Sequence, residues 1–293
     1  MATALKPIPV TVRSILAPTD FSPASTVACD FAATLARQFR ARLHLVHFVQ
    51  QKDYGMPVPE TYYDIFTDIE HESEKGLKTL ADRPAMAGVD AELHLERNEI
   101  TARINSLARE VHTDLIIVAS RGRGGLAKLT LGSTTAEILR IAQAPVLVLG
   151  PHAAPPRLPF HRLLCATDFS PSAKAALSAA ITLTSVGNAA THVLHVAAWQ
   201  EAAKQDWLQR ARAMEARMWA MLPPDARFWD LAQTSIRLGH PADLILQVAA
   251  EEKTDLIAIG ASRAFQHPLL HGAHNTAYRV LQKATCPVLV ARR

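Results

Sequence analysis

One segment of this chain returns nearly unchanged 148 residues later, and this repetition constrains the fold more than any other feature. Residues 15–23 (ILAPTDFSP) come back as residues 163–171 (LLCATDFSP). Further along, residues 113–118 (TDLIIV) return as residues 254–259 (TDLIAI). The repeats of solenoid proteins span only about 20–50 residues, so a unit of this length indicates a duplicated domain.

A proline-rich segment separates the two copies. Residues 150–159 contain four prolines. Because proline has a fixed φ and no N–H, such a segment joins neither a helix nor a central strand and is typical of a stiff, extended linker. A chain of 293 residues is long enough for two domains that each bury a core. We therefore predict one domain over residues 1–152 and a second over residues 153–293.

Composition excludes several classes of protein. Apolar residues make up 49% and charged residues 20% of the chain, which is typical of globular proteins. The net charge of +4 comes from scattered Lys and Arg residues, which argues against a nucleic-acid partner. No stretch reaches membrane-spanning length, and residues 1–13 lack the apolar run of a signal peptide. Cys29, Cys165 and Cys286 are widely spaced, which favours buried thiols in a reducing compartment. The sequence predicts a cytoplasmic protein.

Short apolar runs alternate with stretches of helical spacing in both copies. In the first copy we predict strands over residues 14–18, 43–49, 91–95, 115–119 and 146–149, and helices over 24–39, 60–80, 101–111 and from near Thr135. In the second we predict strands over 162–166, 191–196, 234–237, 256–260 and 288–291, and helices over 173–184, 202–221, 241–250 and 277–283. The predicted fold is α/β, with two tandem, doubly wound, Rossmann-like domains, each holding a mainly parallel five-stranded sheet flanked by helices.

The segments after the first and fourth strands are candidates for a ligand site. In doubly wound sheets, ligands bind outside the carboxyl ends of the strands, where the strand order reverses. A glycine-rich loop, residues 119–126, follows the fourth strand, and Gly132-Ser133-Thr134 precedes a helix. Backbone N–H groups of such a loop and helix suit phosphate oxygens, and Ser133 and Thr134 are predicted to cap the helix. Asp20 could accept a hydrogen bond from a ribose hydroxyl. The alternative is that the glycines only make a tight turn and that Ser133 only caps.

Taken together, these motifs resemble the universal stress protein family. The matching segments are residues 18–22, 45–48, 120–126 and 131–134, and both copies share the resemblance. ATP-binding members of that family carry Gly, two residues, Gly, nine residues, Gly, and then Ser or Thr. This chain keeps the spacing with Ala119, Gly122, Gly132 and Ser133, so alanine replaces the first glycine.

The resemblance implies a nucleotide site in the first copy. It implies ATP as the ligand, with Mg²⁺ as an optional companion of the phosphates. Asp20 would hold the ribose and adenine region, and Phe48 would line the base pocket. The phosphates would lie at Gly122, Gly132, Ser133 and Thr134. The full set of expected binding residues is Pro18, Thr19, Asp20, Phe48, Val118, Ala119, Arg121, Gly122, Gly132, Ser133 and Thr134.

The second copy lacks the phosphate loop. It keeps Thr167 and Asp168, but Arg263 stands where the first copy has Gly122, and residues 274–276 (HNT) stand at the Gly-Ser-Thr positions. A bulky side chain obstructs the approach of backbone to phosphate. We therefore predict one binding copy and one supporting copy.

Three functions stay open from the sequence. The favoured one is an ATP-binding stress regulator or sensor that is not an enzyme, with no catalytic residue assigned. The alternatives are a nucleotide-independent dimeric scaffold and a slow ATPase. The copies are expected to pair as a pseudo-dimer through their last strands, or two chains as a homodimer. No metal site is predicted, because Pro268 and Gly272 interrupt the helical spacing of His267, His271 and His274. His47 and His195 are expected to be satisfied structural histidines.

Overall fold

The chain forms two compact units. The computed structural model describes residues 11–49, 61–97, 99–121, 131–153, 157–223, 231–261 and 275–292, with only the backbone of residues 61–66. The first unit spans Arg13–Pro151, and the second is built from His152 onward. Gly122, Arg263 and the three histidines at 267, 271 and 274 lie outside the described residues, so their predicted roles stay predictions.

The first unit holds a five-stranded parallel sheet in the order β3-β2-β1-β4-β5. Its strands are β1 (Ser14–Pro18), β2 (Arg42–Phe48), β3 (Ala91–Glu96), β4 (Leu115–Ala119) and β5 (Val146–Leu149). Its helices are α1 (Pro23–Phe39), α2 (Thr61–Ala81), α3 (Ile100–Glu110) and α4 (Ser133–Ile141), with a short 3₁₀ turn at Pro84–Met86.

The second unit repeats this order as β8-β7-β6-β9-β10, again all parallel. Its strands are β6 (Arg162–Thr167), β7 (Ala190–Ala197), β8 (Ala232–Leu238), β9 (Leu256–Gly260) and β10 (Val288–Ala291). Its helices are α5 (Pro171–Thr184), α6 (Trp199–Ala202), α7 (Trp207–Met221), α8 (Pro241–Glu251) and α9 (Thr276–Lys283), with a 3₁₀ turn at Ser185–Gly187. The predicted tandem, doubly wound α/β fold is confirmed.

Local sequence explains how each unit starts. Every residue of β1, β4 and β5 is buried, as expected for parallel strands covered on both faces. Ser22 then caps α1 by accepting a hydrogen bond from the Ser25 N–H, and Pro23 occupies the first helical position, where a missing N–H costs nothing. Ser170 caps α5 in the same way, so the repeated Ser-Pro is a helix start in both units.

Three predicted helix starts are wrong by two residues or more. Helix α5, predicted from residue 173, begins at Pro171. The helix predicted over residues 202–221 begins only at Trp207, because i→i+3 hydrogen bonds close turns after the short helix α6, from Lys204 N–H to the Glu201 carbonyl and from Trp207 N–H to the Lys204 carbonyl. The helix predicted from near Thr135 begins at Ser133 instead.

Two further expectations concern the thiols and the membrane. Cys29, Cys165 and Cys286 are all free and buried, as predicted, and burial raises the pKa of each thiol to about 12. Among the described helices, none combines the length and apolar character needed to cross a bilayer.

Candidate functional site

The strand order of the first unit reverses between β1 and β4, whose carboxyl ends therefore lie side by side. β1 pairs in parallel with β4, with Leu16 opposite Ile116, and with β2 on its other side, with Pro18 opposite Val46. This is the topological position at which doubly wound sheets bind ligands. The structure brings the ends of these three strands together there, and with them most of the predicted site residues: Pro18, Thr19, Asp20, Phe48, Val118, Ala119 and Arg121.

A network of short hydrogen bonds fixes the corner after β1. The Thr19 N–H donates to the Val46 carbonyl at 2.8 Å, and the Phe21 N–H donates to Thr19 Oγ1 at 3.0 Å. The Ser22 N–H donates to Asp20 Oδ1 at 3.0 Å, which closes an Asx turn. Phe21 adopts a left-handed φ of 60° at this corner. Asp20 is half-buried, and the turn sets the direction in which its carboxylate points.

His47 supports the same corner. Its Nδ1 lies 2.8 Å from the Thr19 carbonyl oxygen, and its ring centroid lies 4.4 Å from that of Phe21. His195 repeats this contact in the second unit, with Nδ1 2.8 Å from the Thr167 carbonyl oxygen. Each histidine has a backbone carbonyl as its partner, as predicted, but both rings are half-buried and not in the core.

Helix α4 begins at the end of β4 and is tied to it by two hydrogen bonds. The Gly132 N–H donates to the Ser120 carbonyl at 2.8 Å, and Thr135 Oγ1 donates to the Ala119 carbonyl at 2.7 Å. The Thr135 hydroxyl is buried, and sequence reasoning did not single it out. The bond joins residues 16 positions apart, so no local sequence pattern indicates it.

The predicted capping of α4 by Ser133 and Thr134 is wrong. Both residues are already inside the first helical turn, and Gly132, which has no side chain, occupies the cap position. The physical reason is the Gly132–Ser120 hydrogen bond, which starts the helix one residue after the glycine. The first-turn N–H groups of a helix have no acceptor within the helix. Because no side chain caps α4, these N–H groups and the exposed hydroxyls of Ser133 and Thr134 suit an anion better than a capped helix start would.

The second unit has the same corner but a different helix start. Its Ser170 N–H donates to Asp168 Oδ1 at 2.9 Å, and its Phe169 N–H donates to Thr167 Oγ1 at 2.9 Å. Helix α9, however, is capped by its own chain, because the Tyr278 N–H donates to Asn275 Oδ1 at 3.2 Å. A side-chain cap of this kind occupies a donor that a phosphate oxygen would otherwise use.

Helix α7 also changes the corner of the second unit. Thr167 Oγ1 donates to the Met221 sulfur at 3.5 Å, whereas Thr19 Oγ1 in the first unit lies 3.1 Å from Ser25 Oγ. The Arg217 guanidinium lies over the Phe169 ring, 4.1 Å from its centroid. The corner of the second unit is therefore covered by side chains of α7.

Gly260 is the second unit's counterpart of Ala119, and packing explains it. A Cβ at this position would lie 2.3 Å from the Ala173 nitrogen and 2.6 Å from the Ser172 carbonyl carbon. Both atoms belong to the backbone at the start of α5. This glycine is required by the close approach of a helix, with no ligand needed to account for it.

Comparison with known proteins identifies the family. The universal stress protein family model matches residues 11–150 and again residues 159–292. A universal stress protein of Mycolicibacterium smegmatis is 24% identical over 302 residues, which cover 96% of this chain and 98% of that protein. YxiE of Bacillus subtilis, also a universal stress protein, is 30% identical over 145 residues, which cover 47% of this chain and 98% of YxiE.

A solved structure matches both units at once. The crystal structure of a universal stress protein from Archaeoglobus fulgidus covers 97% of this chain and 97% of its own, with a TM-score of 0.72 and 21% identity. At that identity the likeness concerns the fold. Since the family model covers each unit separately and nearly all of the chain together, this protein belongs to the universal stress protein family and carries two copies of its domain.

Proposed function

We propose that the first unit binds ATP at the carboxyl edge of its sheet and that the second unit supports it without an equivalent phosphate site. The observation that carries this proposal is the contrast between the two helix starts. Gly132, without a side chain, occupies the cap position before α4, whereas Asn275 caps α9 with its side chain. An uncapped helix N-terminus beside a reversal of strand order suits a phosphate group.

The described residues also fit the rest of the nucleotide. The Asp20 carboxylate lies at the end of β1 and could accept hydrogen bonds from ribose hydroxyls. Phe48, half-buried at the end of the neighbouring β2, offers an apolar ring to the adenine. Ser133 and Thr134 would add hydroxyl donors to the phosphates, and Mg²⁺ would accompany those phosphates as it does in other nucleotide sites.

In this proposal ATP acts as a signal rather than as a consumed substrate. Binding would change a surface at this edge of the sheet that a partner recognises. A slow ATPase is the alternative that turnover measurements separate from this reading. A nucleotide-independent scaffold is the other alternative, favoured by Ala119, whose methyl group stands where ATP-binding relatives carry glycine. Homodimer formation stays a prediction from the sequence.

The test uses a matched pair of variants, Asp20→Ala and Asp168→Ala. Each variant removes a carboxylate that accepts a hydrogen bond from a backbone N–H, of Ser22 in the first unit and of Ser170 in the second. Both variants therefore lose the same turn hydrogen bond. Only Asp20→Ala should also lose a hydrogen bond to ribose. A charge-assisted hydrogen bond contributes about 1.5–3 kcal/mol, so ATP should bind about 10- to 150-fold more weakly.

Titration calorimetry of the nucleotide-free, full-length protein gives both affinities. We expect one ATP per chain in the unaltered protein and in Asp168→Ala. If ATP affinity fell equally in the two variants, the loss of local structure would explain the effect without a contact to ribose. If the unaltered protein did not bind ATP, the nucleotide-independent scaffold would be the better interpretation.

A further inference from the structure

Three metal-binding side chains meet in the first unit, away from the site described above. His44 is the third residue of β2, and Glu92 and His94 stand two residues apart on β3, so they share one face of that strand. The register places His44 opposite Glu92 and Val46 opposite His94. Phe48 lies four residues further along β2, or about 13 Å at the rise of a strand. The cluster is therefore separate from the proposed nucleotide edge.

The separations within this cluster lie close to those of a metal site. His44 Nδ1 and His94 Nε2 are at hydrogen-bond distance, 3.0 Å apart. His44 Nδ1 lies 3.5 Å from a carboxylate oxygen of Glu92, and His94 Nε2 lies 3.8 Å from the other oxygen. Ligands of tetrahedral zinc stand about 2.0–2.2 Å from the ion, which puts neighbouring ligand atoms about 3.4 Å apart. We infer that His44, Glu92 and His94 bind a divalent transition metal of the zinc type, with a water molecule as the fourth ligand.

The second unit shows what the same position looks like without a metal. There His192 is the counterpart of His44, and the strand register places Gln233 opposite it and Ser235 opposite Leu194. Both ring nitrogens of His192 have ordinary partners, Glu252 Oε1 at 2.8 Å from Nδ1 and Ser235 Oγ at 2.7 Å from Nε2. Hydrogen bonding alone thus satisfies a buried histidine at this register.

On the strand that faces this histidine, the first unit differs from that arrangement at two positions, and both changes introduce better metal ligands. Where the second unit has Gln233 and Ser235, the first unit has Glu92 and His94. Imidazole and carboxylate are zinc ligands, whereas an amide and a hydroxyl are weak ones. The sequence signal was the Glu-x-His pair on one strand, which becomes a site only when the register of β2 is known.

The surroundings favour a cation. Arg42 lies 2.9 Å from Asp90 and 3.8 Å from Glu92, so its positive charge is already balanced by a carboxylate next to the cluster. The side chain of Glu92 is 50% exposed, which leaves room for an ion to enter and for a water ligand.

Binding here would join an edge strand to its neighbour. β3 is the last strand of its sheet, and the cluster takes one ligand from β2 and two from β3. A metal would therefore hold the β2–β3 pair together, and its occupancy would tune the stability of the first unit independently of ATP.

The experiment measures metal binding in the full-length protein prepared without a polyhistidine tag and stripped with EDTA. ZnCl₂ is titrated by calorimetry, and CoCl₂ is titrated while visible absorption is recorded, since tetrahedral Co²⁺ has a distinct spectrum. The variants His94→Ser and Glu92→Gln introduce the residues that the second unit uses. Ser235→Ala is the control in the second unit.

We expect the unaltered protein and Ser235→Ala to bind one Zn²⁺ and to give tetrahedral cobalt bands. Both first-unit variants should lose those bands and bind Zn²⁺ at least about 10-fold more weakly, since even loss of an outer-shell partner costs that much. Glu92→Gln changes a half-exposed side chain, so it tests binding without testing folding. Absence of cobalt bands in the unaltered protein, or bands unchanged in both variants, would overturn the inference.

Discussion

Replacing Gly260 with alanine is expected to destabilise the second unit by about 2 kcal/mol or more. The added Cβ would lie 2.3 Å from the Ala173 nitrogen, 2.6 Å from the Ser172 carbonyl carbon and 2.7 Å from the Ala173 Cα. An ordinary contact is about 1 Å longer, so the start of α5 would have to move away from β9. These are backbone atoms of a packed helix, which cannot step aside as a flexible side chain can.

The size of the effect follows from two opposing terms. Forcing an extra methyl group into a packed core costs about 1–3 kcal/mol, and a clash with backbone belongs at the upper end of that range. Alanine also restricts the unfolded chain relative to glycine, which returns about 0.4–1 kcal/mol. A net loss of about 2 kcal/mol lowers the melting temperature by roughly 4–8 °C in a protein of this size.

Scanning calorimetry and urea unfolding of the full-length protein measure the loss, and Ala119→Gly is the matched control. That substitution makes the reverse change at the equivalent position of the first unit and should cost only about 0.5–1 kcal/mol, through the greater freedom of glycine. If Gly260→Ala unfolded within about 0.5 kcal/mol of the unaltered protein, or cost less than Ala119→Gly, the packing explanation of this glycine would be refuted.

Two further predictions concern buried polar groups. Thr135→Val removes the hydroxyl that donates to the Ala119 carbonyl, so the free energy of unfolding measured in urea should fall by about 1–2 kcal/mol. Calorimetry should also show weaker ATP binding, and an unchanged urea midpoint would contradict the role of this bond. The three thiols have their pKa raised to about 12 by burial, so a disulfide reagent at pH 8 should react with them only when the protein unfolds, and rapid labelling of the native protein would contradict their burial.

Much of the fold could be predicted because its strongest signals are local and occur twice. Strands β1, β4, β9 and β10 are short apolar runs bounded by polar or turn residues, and their predicted bounds agree with the structure. The helices that follow the Ser caps were also predicted, although their starts were placed at residues 24 and 173, one and two residues after the prolines that occupy the first helical positions, Pro23 and Pro171. These features depend on a few neighbouring residues, so spacing alone reveals them.

The parts that could not be predicted depend on contacts between distant segments. The start of α4 is set by a hydrogen bond from Gly132 to Ser120, and no local propensity distinguishes it from a start near Thr135. Likewise, His44 and His94 are 50 residues apart, and only the register of two strands brings their nitrogens to 3.0 Å. The break between α6 and α7 lacks the glycine or proline that marks most helix ends.

Comparison of the two units changes which residues carry information about function. The Thr-Asp pair is identical in both, and in both it does the same structural work, since the aspartate accepts from the serine that caps the next helix. Its presence therefore does not distinguish a binding unit from a supporting one. Two informative differences lie elsewhere: the last helix is preceded by Gly132 in the first unit but is capped by the Asn275 side chain in the second, and the first unit has His94 at the register position where the second has Ser235. Because the two units share their fold and strand order, the proposals of an ATP site and of a metal site in the first unit depend on these differing positions and not on the shared Thr-Asp pair.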